Sequence, residues 1–180
     1  MNLNFQRRGA STELAVSRAA TPADIPFLLA LERECVTAAH WTKPQYEKLF
    51  QPGTNSPTRL VLVADGVRKE SSIADSTRKP NSGSGVRGFL VARHIAPEWE
   101  LENIVVALDA RRAGVGKQLL DALLAEARET NSQSVFLEVR ESNAAARSLY
   151  EKAGFRLTSR RKSYYTNPLE DAVLYTWARH

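Results

Sequence analysis

A short turn rich in arginine and glycine is the first feature of this 180-residue chain that could do chemistry. Residues 111–116 read Arg-Arg-Ala-Gly-Val-Gly, between the apolar run 104–108 and a stretch with helical spacing that begins at Lys117. Where a strand turns through glycines into a helix, the first helical N–H groups lack partners and the positive dipole end attracts an anion. The glycines let a diphosphate approach the backbone, and the arginines and lysine supply positive charge. We therefore predict a phosphate-binding turn.

A carboxylate inside an apolar strand is the second such feature. Residues 135–140 read Val-Phe-Leu-Glu-Val-Arg, and strand alternation turns Glu138 to the face opposite the three aliphatic side chains. A glutamate in this position is a candidate general base. The alternatives are a solvated strand residue or an ion-pair partner of Arg140.

The segment that follows carries a resemblance to a known family. Residues 137–155 read Leu-Glu-Val-Arg-Glu-Ser-Asn-Ala-Ala-Ala-Arg-Ser-Leu-Tyr-Glu-Lys-Ala-Gly-Phe. Together with the glycine turn, this segment resembles the acetyl-CoA-dependent GCN5-related N-acetyltransferases (GNAT), and within them the ribosomal-protein-alanine N-acetyltransferases. The resemblance extends from about Asn103 to Asp171 and is much weaker before it.

The resemblance implies an α/β fold of the mixed α+β kind. A central twisted mixed β-sheet of about six to seven strands, flanked by helices, is expected. Acetyl-CoA is the implied co-substrate. Contacts with it are assigned by the resemblance to the following residues: Ile104, Val105, Val106, Arg111, Arg112, Ala113, Gly114, Val115, Gly116, Lys117 and Asn143.

Two residues receive catalytic roles from the same resemblance. Glu138 takes the proton of the acceptor amine, directly or through water, and Tyr150 acts as general acid toward the departing CoA sulfur. The alternative for Tyr150 is a tyrosine packed beside its helical neighbours. Glu100 and Glu102, which precede the predicted cofactor strand, are reserve candidates for the base.

The acceptor prediction depends on two further regions. Residues 160–172 contain Arg-Arg, Tyr-Tyr and Glu-Asp-Ala, a pattern found near the C-terminus of the resembling enzymes, where a hairpin overhangs the acceptor cleft. We expect Trp41, Tyr164 and Tyr165 to contact the acceptor. The alternatives are a packing anchor for the tryptophan and an exposed basic hairpin for the tyrosines.

The implied function is transfer of acetyl from acetyl-CoA to a protein N-terminal α-amine, plausibly the N-terminal alanine of a small-subunit ribosomal protein. An α-amine has a pKa of roughly 7.7 to 8.0 against about 10.4 for lysine, so it is far more often neutral at pH 7. One carboxylate suits such an acceptor, although this argument does not exclude lysine. A GNAT that acetylates a small amine or a lysine side chain, and a non-catalytic acetyl-CoA-binding module, remain open.

Local patterns place these residues on elements. Residues 13–180 are expected to form one domain after a disordered N-terminus, 1–12, with a flexible hairpin loop at 65–85. Strands are predicted at 13–19, 59–64, 86–94, 100–107, 135–140, 155–158 and 172–177, and helices at 21–38, 42–50, 117–128 and 143–153. The strands 100–107 and 135–140 flank a helix, so they should be parallel neighbours.

Composition narrows the partners and the location. The net charge of +5 permits proximity to the ribosome and favours an anionic cofactor. The sequence lacks a basic stripe interleaved with aromatic residues, so nucleic-acid binding is not expected. The chain shows no leader and no run of eighteen apolar residues, so a cytoplasmic protein without a membrane partner is expected. One cysteine, Cys35, and three scattered histidines predict neither a disulfide nor a metal site. The oligomeric state is left open.

Overall fold

A computed structural model describes residues 16–35, 37–51, 58–66 and 85–179, with the backbone alone at Val16. The predicted disordered segment 1–12 and residues 67–84 of the predicted loop lie outside the described residues. The strands are β1 Val16–Ala19, β2 Thr58–Asp65, β3 Val86–Ile95, β4 Glu98–Val106, β5 Ser134–Arg140, β6 Arg156–Thr166 and β7 Leu169–Ala178. The α-helices are α1 Ile25–Glu34, α2 Lys43–Lys48, α3 Val115–Glu129 and α4 Ala144–Lys152.

The strands form one mixed sheet in the order β1-β2-β3-β4-β5-β7-β6. Neighbouring strands are antiparallel except β4 and β5, which are parallel because α3 connects them on one face of the sheet. The expected parallel pair and the expected mixed α/β fold are therefore confirmed. None of the helices in the described ranges is long and apolar enough to cross a membrane.

The parallel pair β4 and β5 separates before either strand ends. Pairing stops after Leu101 and Leu137, although both strands continue beyond these residues. A β-bulge at Glu102 bends β4 at the same point. Beyond the bulge, residues 104–106 pair with β3 on one side only, so their backbone retains hydrogen-bonding capacity on the side that faces β5.

Hydrophobic cores cover both faces of the sheet. Helices α3 and α4 pack on one face, where Leu119, Leu120 and Leu123 are completely buried, as their helical spacing predicts. Helices α1 and α2 pack on the other face around Leu28 and Tyr46. The burial of α3 matters for the site, because it fixes where the first turn of this helix stands against β4.

Several element bounds differ from the sequence prediction. Helix α1 ends at Glu34 instead of 38, because Cys35 has an extended backbone with φ −112° and ψ 101°. The C-terminal strands are longer than the predicted 155–158 and 172–177, since their pairing continues to Thr166 and Leu169. Strand β6 is exposed over nearly its whole length, so it carries no apolar alternation that a sequence pattern could detect. Helix α2, predicted at 42–50, begins with a capping box in which the Thr42 N–H donates to Gln45 Oε1 at 2.8 Å.

Candidate active site

The glycine turn forms the N-terminus of α3. Gly114 is the N-cap residue, with φ +86° and ψ −3°, a conformation that favours glycine. A Cβ added to Gly114 would meet no protein atom within 4 Å, so the backbone faces open space there. The first hydrogen bond of the helix joins the Gln118 N–H to the Gly114 carbonyl oxygen at 3.0 Å. The N–H groups that precede it, at 115–117, have no carbonyl one turn earlier and point toward an incoming anion.

A cavity of about 390 Å³ opens at this turn, between α3, α4, the end of β4 and the end of α1. Most of the predicted acetyl-CoA contacts line it, namely Ile104, Val106, Arg111, Arg112, Gly114, Val115, Gly116, Lys117 and Asn143. Two predicted contacts do not line it. The side chain of Val105 is buried in the core beneath α1, and Ala113 is exposed on the turn outside the cavity wall.

Sequence reasoning missed the contribution of α1 and α4 to this cavity. The additional lining residues are Cys35, Thr37, Ala110, Ala145, Ala146, Ser148, Leu149 and Lys152. The spacing of 145, 149 and 152 marks one face of α4, which is a signal that helical periodicity could have supplied. No sequence pattern indicates that Cys35 lines the cavity, because its position depends on where α1 ends.

The second glycine of the turn serves packing between helices. A Cβ added to Gly116 would lie 3.0 Å from Leu149 Cδ2 and 3.6 Å from Val106 Cγ2. The first distance is closer than ordinary van der Waals contact, so a larger residue would push α4 away from α3. Gly116 therefore shapes the floor of the cavity, whereas Gly114 opens its backbone to a ligand.

The basic side chains of the turn are arranged in different ways. Arg111 turns inward, where its Nε donates to the Val106 carbonyl oxygen at 3.4 Å and its Nη2 lies 3.6 Å from Cys35 Sγ. Lys117 forms an ion pair with Asp121 one helical turn later, at 2.5 Å. The cavity thus has positive charge at its mouth, which suits a diphosphate.

Asn143 and Tyr150 mark the two ends of the α4 segment that the family resemblance singled out. Asn143 Oδ1 accepts a hydrogen bond from the Ala146 N–H at 3.2 Å, so Asn143 is the N-cap residue of α4. The side chain of Tyr150 turns into the core instead of the cavity wall, with 5% exposure. Its ring lies 6.0 Å from the ring of Phe155 and 6.2 Å from that of Tyr175, between centroids.

Burial changes the acidity of Tyr150. Removal from water raises the pKa of the phenol, and the nearby Tyr165 raises it further. The phenol therefore keeps its proton throughout the neutral range. In this state Tyr150 can donate a hydrogen bond.

Glu138 lies on the face predicted by strand alternation, opposite the core of α3 and α4. Its Oε1 is 2.8 Å from Nη1 of Arg161, which is two strands away on β6, and its side chain is 20% exposed. Hydrogen bonding to the same carboxylate raises the pKa of Tyr164. The alternative of an ion pair with Arg140 is wrong, because Arg140 pairs with Glu170 at 3.2 Å.

Tyr164 and Tyr165 lie beside this carboxylate because of an irregularity in β6. The register of β6 against β7 shifts within residues 161–165, where Ser163 has φ +51°. The rings of Tyr164 and Tyr165 make an edge contact with centroids 5.2 Å apart. The guanidinium of Arg140 lies 4.0 Å from the centroid of the Tyr165 ring.

Three further predicted candidates have other surroundings. Trp41 packs on Tyr46, with ring centroids 5.6 Å apart, in the core of α1 and α2. The reserve bases are held by arginines of neighbouring strands: Glu100 accepts from Arg93 at 2.6 Å, and Glu102 pairs with Arg59 at 3.2 Å. The structure thus brings Tyr164 and Tyr165 to Glu138 and anchors these three residues elsewhere.

In the described part of the chain, no cluster of three or more His, Cys, Asp or Glu side chains could hold a metal ion.

Comparison with known sequences identifies relatives of this arrangement. Residues 40–155 match the family described as Acetyltransferase (GNAT) family. The [Ribosomal protein bS18]-alanine N-acetyltransferase of Escherichia coli K12 is 40% identical over 88 residues, which cover 48% of this chain and 60% of that protein. An N-alpha-acetyltransferase of Sulfurisphaera tokodaii is 41% identical over 73 residues, 40% of this chain and 43% of that protein. The chain therefore matches less than two thirds of the length of these relatives.

Solved structures extend the likeness to the fold. The ribosomal-protein-S18-alanine N-acetyltransferase from Escherichia coli has a TM-score of 0.68 and 25% identity, over 92% of this chain and 94% of that chain. Ard1 from Thermoplasma volcanium has a TM-score of 0.72 and 27% identity, over 93% and 99%. Arabidopsis thaliana NAA60 in complex with acetyl-CoA shares the fold, with a TM-score of 0.72 and 16% identity, over 91% and 99%. With the family match over residues 40–155, these comparisons show that the chain belongs to the GNAT acetyltransferase family.

Proposed function

We propose that this chain transfers the acetyl group of acetyl-CoA to the α-amine of a protein N-terminus, and specifically to the N-terminal alanine of a small-subunit ribosomal protein. The observation that carries the proposal is the opening between β4 and β5. The cavity lies at the β4 side of this opening, and Glu138 follows Leu137, the last residue of β5 that pairs with β4. The proposed base therefore comes directly after the point where the sheet separates, and the cavity opens beside the same separation.

The residues of the cavity fit acetyl-CoA. The open backbone at Gly114 and the basic side chains around it suit the diphosphate, while Ile104, Val106 and Leu149 suit an aliphatic chain. The β4 backbone without a β5 partner suits amide hydrogen bonds and can donate an N–H to a carbonyl oxygen. When bound, acetyl-CoA supplies an activated acetyl group, which leaves its sulfur for the amine nitrogen, so that the products are an N-acetyl amide and CoA thiol.

Glu138 and Tyr150 divide the proton chemistry. Glu138 receives the proton that the acceptor amine loses, directly or through water, since a carboxylate can accept a proton and the α-ammonium group, with a pKa of roughly 7.7 to 8.0, gives up its proton more readily than a lysine ammonium does. Tyr150 is the proposed general acid toward the departing sulfur: its phenol keeps its proton, and its side chain packs in the core outside the cavity lining, so the role rests on the family resemblance. The charge of Glu138 contributes to a raised pKa of Tyr165, and Tyr165 in turn contributes to the raised pKa of Tyr150. Tyr165 is thus near enough to both groups to support a common site for them.

The choice of a ribosomal protein as acceptor rests on the relatives. The name of the Escherichia coli relative specifies the alanine of a ribosomal protein, and the match covers 60% of that protein. The hairpin with Tyr164 and Tyr165 supports a peptide acceptor, because paired tyrosines beside a base offer both hydrogen bonds and a flat apolar surface.

A release assay for CoA thiol tests the proposal. The full chain is incubated with acetyl-CoA and a peptide that begins with a free alanine, and thiol release is measured with a colorimetric reagent. We expect release with this peptide, and little release with an N-blocked lysine peptide or with polyamines. The absence of release with every N-terminal peptide would reject the acceptor. Acetyl-CoA affinity in calorimetry without any turnover would favour the non-catalytic binding module.

A further inference from the structure

The proposed base already holds a cation of the protein itself. Arg161 Nη1 lies 2.8 Å from Glu138 Oε1, at the distance of a close ion pair. The ammonium form of an acceptor amine seeks the same carboxylate oxygens before it loses its proton. Arg161 therefore stands where the acceptor must bind, and the two cations compete.

The position of Arg161 is produced by the fold of the hairpin. The register shift in 161–165 and the positive φ of Ser163 form a bulge, which is held by the hydrogen bond from the Ser163 N–H to Asp171 Oδ1 at 2.8 Å. The guanidinium of Arg161 also lies 5.5 Å from the ring centroid of Tyr164. The carboxylate of Glu138 and the ring of Tyr164 thus hold the guanidinium of Arg161 between them.

The adjacent arginine has different partners. Arg160 pairs with Glu141 at 2.5 Å and lies 3.7 Å from Asp171, whereas Arg161 pairs with Glu138. The two side chains have nearly equal exposure, 50% for Arg160 and 52% for Arg161. They therefore differ in the carboxylate that they contact and scarcely in their exposure.

A guanidinium that leaves Glu138 needs a new hydrogen-bond acceptor. It cannot lose its proton at any working pH, and its five donors are arranged in a rigid fork. In a peptide N-terminus, only Cα and the carbonyl carbon separate the amine nitrogen from a carbonyl oxygen. A lysine side chain or a polyamine offers methylene groups at the corresponding place.

We propose that Arg161 is a specificity-determining residue, which yields Glu138 to the acceptor α-ammonium and then donates to the carbonyl oxygen of the first acceptor residue. This inference rests on the proposed function. It predicts a preference for an α-amine over a lysine side chain, because only the α-amine carries a carbonyl oxygen within reach of the guanidinium that has left Glu138.

The test compares acceptor discrimination in two arginine variants. We measure kcat/KM for a free-alanine peptide and for an N-blocked lysine peptide in the wild type, Arg161→Gln and Arg160→Gln. Comparing the ratio of the two values between variants cancels the intrinsic reactivity of each amine, which is the same with every variant. In Arg161→Gln, activity on the alanine peptide should fall about tenfold or more, while activity on the lysine peptide stays or rises. Arg160→Gln, of equal charge change, should keep the ratio within about twofold.

Each outcome has a defined meaning. Equal losses on both peptides in Arg161→Gln, or the same ratio in both variants, would overturn the inference while the proposed function stands. No wild-type turnover with any acceptor would overturn the proposed function and the inference together. Acetyl-CoA affinity and circular dichroism of the variants establish that folding and the cofactor cavity are intact.

Discussion

The proposed cofactor side of the site and its proposed acceptor side, called below the cofactor side and the acceptor side, are made of different groups. On the cofactor side, the backbone of the glycine turn and aliphatic side chains of β4 and α4 line a cavity beside buried helices. On the acceptor side, Glu138 contacts Arg161, Arg161 lies beside Tyr164, and Tyr164 contacts Tyr165, all on exposed or half-exposed surface. Buried packing resists rearrangement, whereas exposed ion pairs each contribute about 0 to 1 kcal/mol and exchange partners readily.

This difference indicates how a fold can keep its cofactor cavity while substitutions on the acceptor side change the acceptor. The diphosphate end of the cavity depends on backbone N–H groups, which any residue other than proline has, and on the glycines at 114 and 116 that keep this backbone open. The acceptor side depends on particular side chains of β6, a strand exposed over nearly its whole length. Substitutions there cost little stability, so they can change the acceptor without unfolding the domain.

The largest expected effect tests Glu138, the proposed general base on the acceptor side. Glu138→Gln keeps the shape of the side chain but cannot accept a proton, so kcat should fall about 100-fold or more with acetyl-CoA affinity unchanged. Steady-state kinetics and calorimetry measure the two quantities. Glu100→Gln is the matched control, since that carboxylate binds Arg93 instead. A Glu138→Gln rate equal to wild type would remove this residue from its role.

The second prediction tests the open backbone at Gly114, on the cofactor side. Gly114→Val places a β-branched residue at φ +86° and fills open space, so the KM for acetyl-CoA should rise about tenfold to 100-fold. Gly154→Val is the matched control, because it has a similar strained φ of +92° at the end of α4, outside the cavity. It should lower the melting temperature without changing the KM. Equal KM values in the two variants would contradict the backbone cradle.

The third prediction tests Tyr150, the proposed general acid. Tyr150→Phe removes only the hydroxyl, so kcat should fall about tenfold, the usual size of one lost hydrogen bond to a charged group, with little change in KM. Because burial raises the pKa of this phenol above its ordinary 10.0, wild-type kcat should show no loss from its ionisation below about pH 10. A Phe variant with full activity would return Tyr150 to a packing role.

The smallest expected kinetic effect lies outside both sides. Hydrogen bonding to Arg18, at 2.9 Å, lowers the pKa of the buried Asp24 from 3.8 to about 2. A lowered carboxyl pKa stabilises the fold above the unfolded value and loses this contribution as pH falls from about 4 toward 2. Asp24→Asn should therefore cost about 2 kcal/mol at pH 7 and flatten the acid limb of the unfolding free energy.

Denaturant unfolding at several pH values measures this effect. Kinetic constants per folded molecule should stay unchanged in Asp24→Asn, since Asp24 contacts neither side of the site. An altered acetyl-CoA KM in this variant would show that the cofactor side depends on the scaffold at α1 more than the cavity geometry indicates.

Local patterns predicted the elements around the cavity well, and those around Glu138 in part. The leucines of α3, the turn before it and the cap at Asn143 act within a few residues, so their spacing was sufficient. The end of α1, the length of β6 and the inward turn of Tyr150 were missed or left undecided, because each depends on contacts with distant segments.

The sequence by itself determined which short segments become strands, helices and caps, and which residues can accept protons or admit a diphosphate. Only the tertiary structure decided that β4 leaves β5 after Leu101, that Arg161 and not Arg140 meets Glu138, and that Tyr150 lies in the core. The physical reason is strand register. Pairing across β5, β7 and β6 is set by contacts between residues far apart in the chain, and one bulge turns a side chain toward a different neighbour.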